Sequence, residues 1–273
     1  MDTCADWREL NRAMWDAKTP AHLRSPIYDV DGFKAGRLSL RSREIIDLGD
    51  VSGKDLVHLQ CHIGLDTLSW ARLGARVTGL DFSEPAVQAA TALARDIGVE
   101  ARFVMSDVYD APAALNGSTY DIVYTGVGAL CWLPDMSRWA GVVRDLLRPK
   151  GQLYLFEFHP VIWMLESSST TELEIRYSYF TPHEGHREAG AVDYADASTP
   201  ASAESTVQWN HPIGEVVTAL TNAGLRIDSL HELDREVLRR WEMMEPAEDG
   251  LFRMPSIKPS LPLMYVLRAH RPA

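Results

Sequence analysis

The chain has 273 residues, 46% of them hydrophobic and 24% charged, with a formal net charge of −11. This is the composition of a globular protein long enough to bury a core unaided, and its acidic balance argues against a nucleic-acid partner, whose phosphates require a basic surface. Three scattered cysteines (Cys4, Cys61, Cys131) form no CxxC pair, which excludes a disulfide framework or zinc knuckle and fits a reducing cytoplasm.

Residues 1–50 read as an amphipathic helical lid. Trp7, Leu10, Met14 and Trp15 recur at helical spacing, and the Pro- and Gly-interrupted "TPAHLRSPIYDVDGFKAGRL" follows. This start carries neither a signal-peptide core nor the roughly 18 apolar residues of a membrane span, so no membrane partner is expected.

From Gly53 onward strands and helices alternate. "KDLVHLQC" reads as a strand. "LDTLSWARLG" reads as a helix stopped at Gly74. "ARVTGLDFS" is a second strand, and "SEPAVQAATALARDIG" a helix with Ser83 as N-cap and Gly98 as its stop. "EARFVMSDV" and "YDIVYTGVG" are the third and fourth strands. "PDMSRWAGVVRDLLRPKG" is a helix stopped by Pro149 and Gly151, and "QLYLFEFHP" the fifth strand. The alternation predicts an α/β, Rossmann-like, mostly parallel sheet with helices on both faces.

Residues 164–207 interrupt the rhythm as a polar insertion with two strand-like pieces, "ELEIRYSYF" and "AVDYA". Residues 208–273 then complete the sheet, with the helix "HPIGEVVTALTNAG" and the strands "LRIDSLHE" and "LPLMYVLRA". The whole is read as one domain: lid 1–50, cofactor-binding core 51–160, substrate-covering insertion 164–207 and sheet completion 208–273.

In such a sheet, ligands bind at the carboxyl ends of the strands. The loop after the first strand is Gln60-Cys61-His62-Ile63-Gly64. Side chains at Gln60 and His62 make it a poor cradle for a pyrophosphate, which needs close approach of backbone amides. A cofactor without phosphates asks less of the loop, and S-adenosylmethionine is one. Asp81 ends the second strand, where a carboxylate accepts from ribose hydroxyls. Asp107 ends the third, where it accepts from an adenine amino group beside the Val108 amide. The fourth strand ends at Thr125.

The stretch from about Val51 to Pro160 resembles the class I S-adenosylmethionine-dependent methyltransferases. "VHLQCHIGLDTLSWARLGARVTGLDFS" is similar to their first motif and following acidic strand. "FVMSDV", "YDIVYTG" and "LLRPKGQLYLFE" follow in the family's order. The resemblance implies a seven-stranded sheet whose last strand is antiparallel and lies between strands five and six. It also implies S-adenosyl-L-methionine as cofactor, S-adenosyl-L-homocysteine as product, and no metal. The loop departs from the family pattern D-x-G-x-G-x-G. His58 stands at the acidic position, Gln60 and His62 at glycine positions, and only Gly64 is kept. Side chains are therefore expected to replace glycine backbone contacts, with Gln60 reaching the ammonium and His62 the carboxylate of the cofactor. Tyr28, Gly64, Asp81, Phe82, Asp107, Val108 and Thr125 complete the expected cofactor site.

Methyl transfer is an in-line displacement for which the protein aligns the acceptor and, where needed, takes a proton. "EFHP" places Glu157 and His159 at the end of the fifth strand as catalytic candidates; the alternative for His159 is a structural role at the turn. Trp132, Trp163, Trp209 and His211 are candidates for the acceptor pocket, each also explicable as packing. His183 and His186 in "PHEGHRE" lack the spacing of a metalloprotease motif and read as solvated, with a metal the lesser reading. The expected function is methyl transfer to a small-molecule acceptor. A non-catalytic adenosine-binding protein and an NAD-dependent oxidoreductase are the rivals. Acceptor and oligomeric state are not legible.

Overall fold

The structure is a computed structural model that describes residues 6–166, 168, 172–189, 194–195 and 205–273. Its centre is a seven-stranded sheet built from β1 (Asp55–Leu59), β2 (Arg76–Asp81), β3 (Arg102–Met105), β4 (Tyr120–Thr125), β5 (Leu147–Phe158), β6 (Arg226–Leu233) and β7 (Met264–His270), in the spatial order β3-β2-β1-β4-β5-β7-β6. The pairs β1–β2, β2–β3, β1–β4 and β4–β5 are parallel. β7 runs antiparallel to both β5 and β6. The expected architecture, with the last strand reversed between the fifth and sixth, is therefore present.

Around the sheet lie α1 (Asp6–His22), α2 (Val30–Lys34), α3 (Ser42–Leu48), α4 (Leu65–Arg72), α5 (Glu84–Asp96), the one-turn α6 (Ala111–Ala114), α7 (Met136–Leu146) and α8 (Ile213–Asn222). Alternation along the strands sends their two sets of side chains to opposite faces. Val57, Leu59, Val123, Leu153 and Leu155 pack with Trp139 and Val143 of α7 and Leu220 of α8. Leu56, Ile122, Tyr124, Tyr154 and Phe156 pack with Leu48 of α3 and Trp70 of α4. The helix stops follow the sequence. Ser83 caps α5 by accepting from the Ala86 amide, and Gly74, Gly98 and Gly224 take positive φ just past α4, α5 and α8.

Two expectations fail. The helix read through "DLLRPKG" ends at Leu146, and Leu147 already pairs with Tyr120 as the first residue of β5. Leu147 has an extended backbone that finds a ladder partner before Pro149 and Gly151 are reached. The piece "ELEIRYSYF" forms a single bridge, Ile175 to Leu165, and no strand. Only its Leu173 packs on the core, and residues 174–178 are all exposed, so the alternating Ile175 and Tyr177 find no layer to bury against. The insertion's hairpin instead pairs His186–Ala189 with Ser205–Gln208, where Val207 is buried against the core that holds Trp7. Most of "AVDYA" lies outside the described residues. The stretch between β6 and β7 adds a small ribbon of Arg235–Glu236, Phe252–Arg253 and Glu245–Pro246.

The chain winds from β1 outward to β3, then returns to the other side of β1 with β4. This reversal opens a crevice between the loops after β1 and β4. Leu59 of β1 is in register with Leu80 and Thr125, so the ends of β1, β2 and β4 lie at one level.

Candidate active site

The loop that leaves β1 keeps an unusual backbone. Gln60, His62 and Gly64 have φ of 57°, 50° and 79°, three left-handed residues in alternate positions. These are the positions where glycine was expected, so the loop's path is retained although two glycines are replaced. A non-glycine residue held there costs roughly 1–3 kcal/mol, a cost that persists where function over-determines the conformation. Gly64 has a second reason to be glycine: a Cβ there would lie 2.8 Å from Ala90 Cβ and 2.9 Å from the Phe103 ring.

The side chain of Gln60 crosses the crevice. Its Nε2 donates to the Ala129 carbonyl at 2.9 Å, and its Oε1 is buried without a hydrogen-bond partner among the described residues. Thr125, at the end of β4, is also buried, with no partner for its Oγ1 among the described residues. Two buried polar atoms thus lie close to the switch point, where a ligand's donors could meet them.

The strand-end acids lie along the same edge. Asp81 Oδ2 accepts from the His62 amide at 2.8 Å and Oδ1 from the Ser83 amide at 2.9 Å. Burial pushes its carboxyl up to about 6, against the pull of these amides and that of Phe82. Phe82 itself is half-buried. Asp107 Oδ1 accepts from the Tyr109 amide at 2.8 Å, and Oδ2 meets Arg8 Nε of α1 at 2.8 Å. Val108 is a buried core residue behind it.

Helix α1 lies across this edge. Besides Arg8, its Asp16 accepts from the Ser83 hydroxyl at 2.6 Å. Asn11 brackets the backbone of Val207, accepting from its N–H and donating to its C=O, each at 2.8 Å. Trp15 stands edge-on to His62 and to Trp132, both at 5.3 Å between ring centres. His22 Nδ1 and His62 Nε2 are 3.1 Å apart, close enough for one ring to donate to the other. Tyr28 stacks on His22 at 5.2 Å, lies 5.2 Å from His62, and bonds through its hydroxyl to that of Tyr194. The aromatic candidates Tyr28, His62 and Trp132 therefore meet in one cluster. Trp15 and His22, not anticipated as site residues, complete it; the helical spacing of Trp15 was the available signal.

At the end of β5 the side chains are already engaged. The Glu157 carboxylate accepts from the amides of Gly128, Ala129, Leu130 and Phe158 at 2.6–2.9 Å, and it anchors the loop after β4. Burial raises its pKa, and the four amides oppose that rise. His159 caps the following turn: its Nδ1 accepts from the Val161 amide at 3.2 Å, which leaves Nε2–H to donate to Glu232 at 2.8 Å. Its pKa is lowered, mainly by burial. Trp163 stands edge-on to Phe158 with the Arg240 guanidinium 4.8 Å from its ring centre. Trp209 packs against Trp7 and donates to the His183 carbonyl at 3.1 Å, and His211 Nε2 donates to the Leu133 carbonyl at 2.7 Å. Trp163, Trp209 and His211 nonetheless share a chamber with Phe158 and Tyr265, apart from the Trp15 cluster. His186 stands edge-on to Tyr177 at 5.8 Å, and no group of three or more metal-binding side chains converges among the described residues.

Beneath the loop, His58 is buried and its pKa is pushed down to about 3 by burial, so it is neutral where the family pattern has an acid. Its Nδ1 bonds to Thr67 Oγ1 at 2.8 Å, and its ring abuts Tyr124. The Tyr124 hydroxyl donates to Glu44, whose carboxyl burial pushes up to about 8.

Residues 57–153 match the family model described as a methyltransferase domain. This segment is the one whose motifs resemble the class I S-adenosylmethionine-dependent methyltransferases. Over 129 residues it is 30% identical to a ubiquinone biosynthesis O-methyltransferase of Salmonella paratyphi A, a match covering 47% of this chain and 50% of that protein. The chain thus spans about half the length of the curated relatives it matches. Its fold is similar to an S-adenosylmethionine-dependent methyltransferase from Mesorhizobium loti, with TM-score 0.57, 20% identity and coverage of 81% of this chain and 93% of that one. A second such structure, from Methanosarcina mazei, gives TM-score 0.55, 21% identity and coverage of 85% and 99%. At these identities the likeness shows the methyltransferase fold.

Proposed function

We propose that the chain is a methyltransferase that uses S-adenosylmethionine to methylate a small-molecule acceptor. The observation that carries this reading is the loop 60–64, which holds the left-handed backbone of a glycine motif and adds a buried Gln60 Oε1 with no partner among the described residues. An ammonium group is the complement of that oxygen, and the Thr125 hydroxyl is a second partner for it. The Asp81 carboxylate, with two lone pairs left after its amide bonds, suits a pair of ribose hydroxyls. Asp107 suits an exocyclic amine, and Tyr28 and His62 suit the flank of the amino-acid part. No basic pyrophosphate cradle accompanies these groups among the described residues, which disfavours a dinucleotide.

When bound, S-adenosylmethionine supplies a methyl group activated by its sulfonium. The chain's own task is then to hold, align and dry the reacting atoms. Trp15, Trp132 and Tyr28 provide an aromatic cover, Glu157 fixes the loop after β4 through the amides of Gly128, Ala129 and Leu130, and His159 fixes the turn after β5. Both groups act here by positioning, since their polar atoms are engaged. The relative's name supports a small acceptor, and the acidic surface supports the absence of a nucleic-acid partner. A cytoplasmic setting is in keeping with the two buried free thiols Cys61 and Cys131. No helix among the described residues is long and apolar enough to cross a membrane.

Calorimetric titration of S-adenosylmethionine and S-adenosylhomocysteine into wild type and Asp81→Ala tests the reading. Binding of both ligands, lost in the variant, is expected. Absence of binding by folded wild type, with and without an acceptor panel, would sink it. Tight binding with no methylated product across the panel would favour a non-catalytic binding protein.

A further inference from the structure

A small chamber lies beyond the ends of β4, β5 and β7, beside the loop that Gln60 grips. Cys131, Phe158, Trp163, Trp209, Asn210 and Tyr265 line it, with the anchored Glu157 at its edge. Its volume is about 10 Å³, room for one water-sized group and no more.

Asn210 decides its chemistry. The residue is only 9% exposed. Its Nδ2 donates to the Pro160 and Tyr179 carbonyls, each at 3.0 Å, so both amide hydrogens are used. Flipping the amide would set its oxygen against two carbonyl oxygens, and the orientation is therefore fixed by the network. That leaves Oδ1 buried and without a donor among the described residues. The neighbouring donors are spent elsewhere: the Cys131 thiol on the Gly128 carbonyl, Trp209 Nε1 on His183 and His211 Nε2 on Leu133. A native chain rarely leaves so buried an acceptor unmet without a reason.

We infer that this chamber seats one hydrogen-bond-donating group of the methyl acceptor, a hydroxyl or an N–H, with Asn210 Oδ1 as the specificity-determining acceptor atom. The inference rests on the methyltransferase reading. The walls define the remainder of the guest: Phe158, Trp163 and Trp209 favour an apolar, ring-bearing body at the mouth. A carboxylate or phosphate guest is disfavoured twice, because it brings no donor to Asn210 and meets the Glu157 carboxylate. Tyr265 lines the same chamber, and its hydroxyl is the one we assign as donor to a guest hydroxyl.

The test uses phenol, aniline, anisole and benzoate as probes of matched size, read by ligand-observed NMR on the full chain, with and without S-adenosylhomocysteine. Phenol and aniline are expected to bind at least tenfold more tightly than anisole or benzoate. Asn210→Ala is expected to erase that preference while S-adenosylhomocysteine affinity stays within about twofold of wild type. Because Asn210→Ala also removes two donors from backbone carbonyls, Tyr265→Phe is measured beside it, with an expected fall of about threefold or more for phenol alone. Equal binding of phenol and anisole by wild type, or a preference that survives in folded Asn210→Ala, overturns the inference and leaves Asn210 a structural residue. Wild type that discriminates phenol from anisole but binds no S-adenosylhomocysteine would tell against the methyltransferase reading and not against the chamber.

Discussion

Asp81 accepts from the His62 amide at 2.8 Å, so the acid that ends β2 also holds the left-handed turn of the loop that ends β1. One carboxylate thus fixes the loop's shape and offers its remaining lone pairs to a ligand. Its pKa of about 6, raised by burial, makes both tasks sensitive to pH. The folded pKa lies above the unfolded value near 4. The associated stability is fully present below about pH 4 and is lost as pH rises through 6. Ligand binding has the opposite slope, because only the ionised form has free acceptors for hydroxyls. Affinity for S-adenosylhomocysteine is expected to be level above pH 7 and to fall about tenfold per unit below 6. Calorimetry between pH 5 and 8 checks this, and Asp81→Asn is expected to bind weakly with no such slope.

Gln60 separates strain from binding. In Gln60→Gly the left-handed backbone becomes unstrained, but glycine has more freedom to lose on folding. These terms oppose each other at similar size, so stability is expected to change by less than about 1 kcal/mol. The proposed bond from Oε1 to an ammonium is removed, and a hydrogen bond to a charged group is worth about 1.5–3 kcal/mol. Cofactor affinity is therefore expected to fall about ten- to a hundredfold. Thermal unfolding and calorimetry on the same sample check the split, and unchanged affinity would remove Gln60 from the site.

The fold was legible because its punctuation is local. Gly74, Gly98 and Gly224 stop helices wherever they stand, and the strand-end acids Asp81 and Asp107 follow apolar runs. The loop 60–64 was legible too, since the order of positions survives the loss of two glycines. What was not legible depends on partners distant in sequence. That α1 reaches the site through Arg8 and Trp15 is set by where the helix packs. Likewise, "EFHP" shows an acid and a histidine at a strand end, but not that the amides of residues 128–130 turn toward Glu157.

Arg8 occupies an oxygen of Asp107 that the proposed adenine amine would use. Arg8 is 39% exposed at its side chain, and such pairs are worth about 0–1 kcal/mol. Arg8→Met keeps an unbranched stem over Trp7 and Tyr109 while freeing the carboxylate. The expected outcome is S-adenosylhomocysteine binding tightened by up to about fivefold, with less dependence on salt. Weaker binding would show that Arg8 itself holds the ligand.

Glu157 and His159 are distinguished by what their replacement disturbs. Glu157→Gln keeps one acceptor oxygen and turns an NH₂ group toward backbone amides that also donate. At least one buried donor is then unmet, and the cost is expected to be about 3 kcal/mol, seen as an early denaturant midpoint. His159→Asn keeps an acceptor for the Val161 amide, because asparagine is itself a good cap. Stability is expected to fall by about 1 kcal/mol or less, and turnover to stay within about threefold with an unshifted pH profile. A general base lost from the reaction would instead lower turnover by about 10²- to 10⁴-fold and remove a limb of that profile. Its Nδ1 already accepts from an amide and its Nε2–H faces Glu232, so the first outcome follows from the geometry.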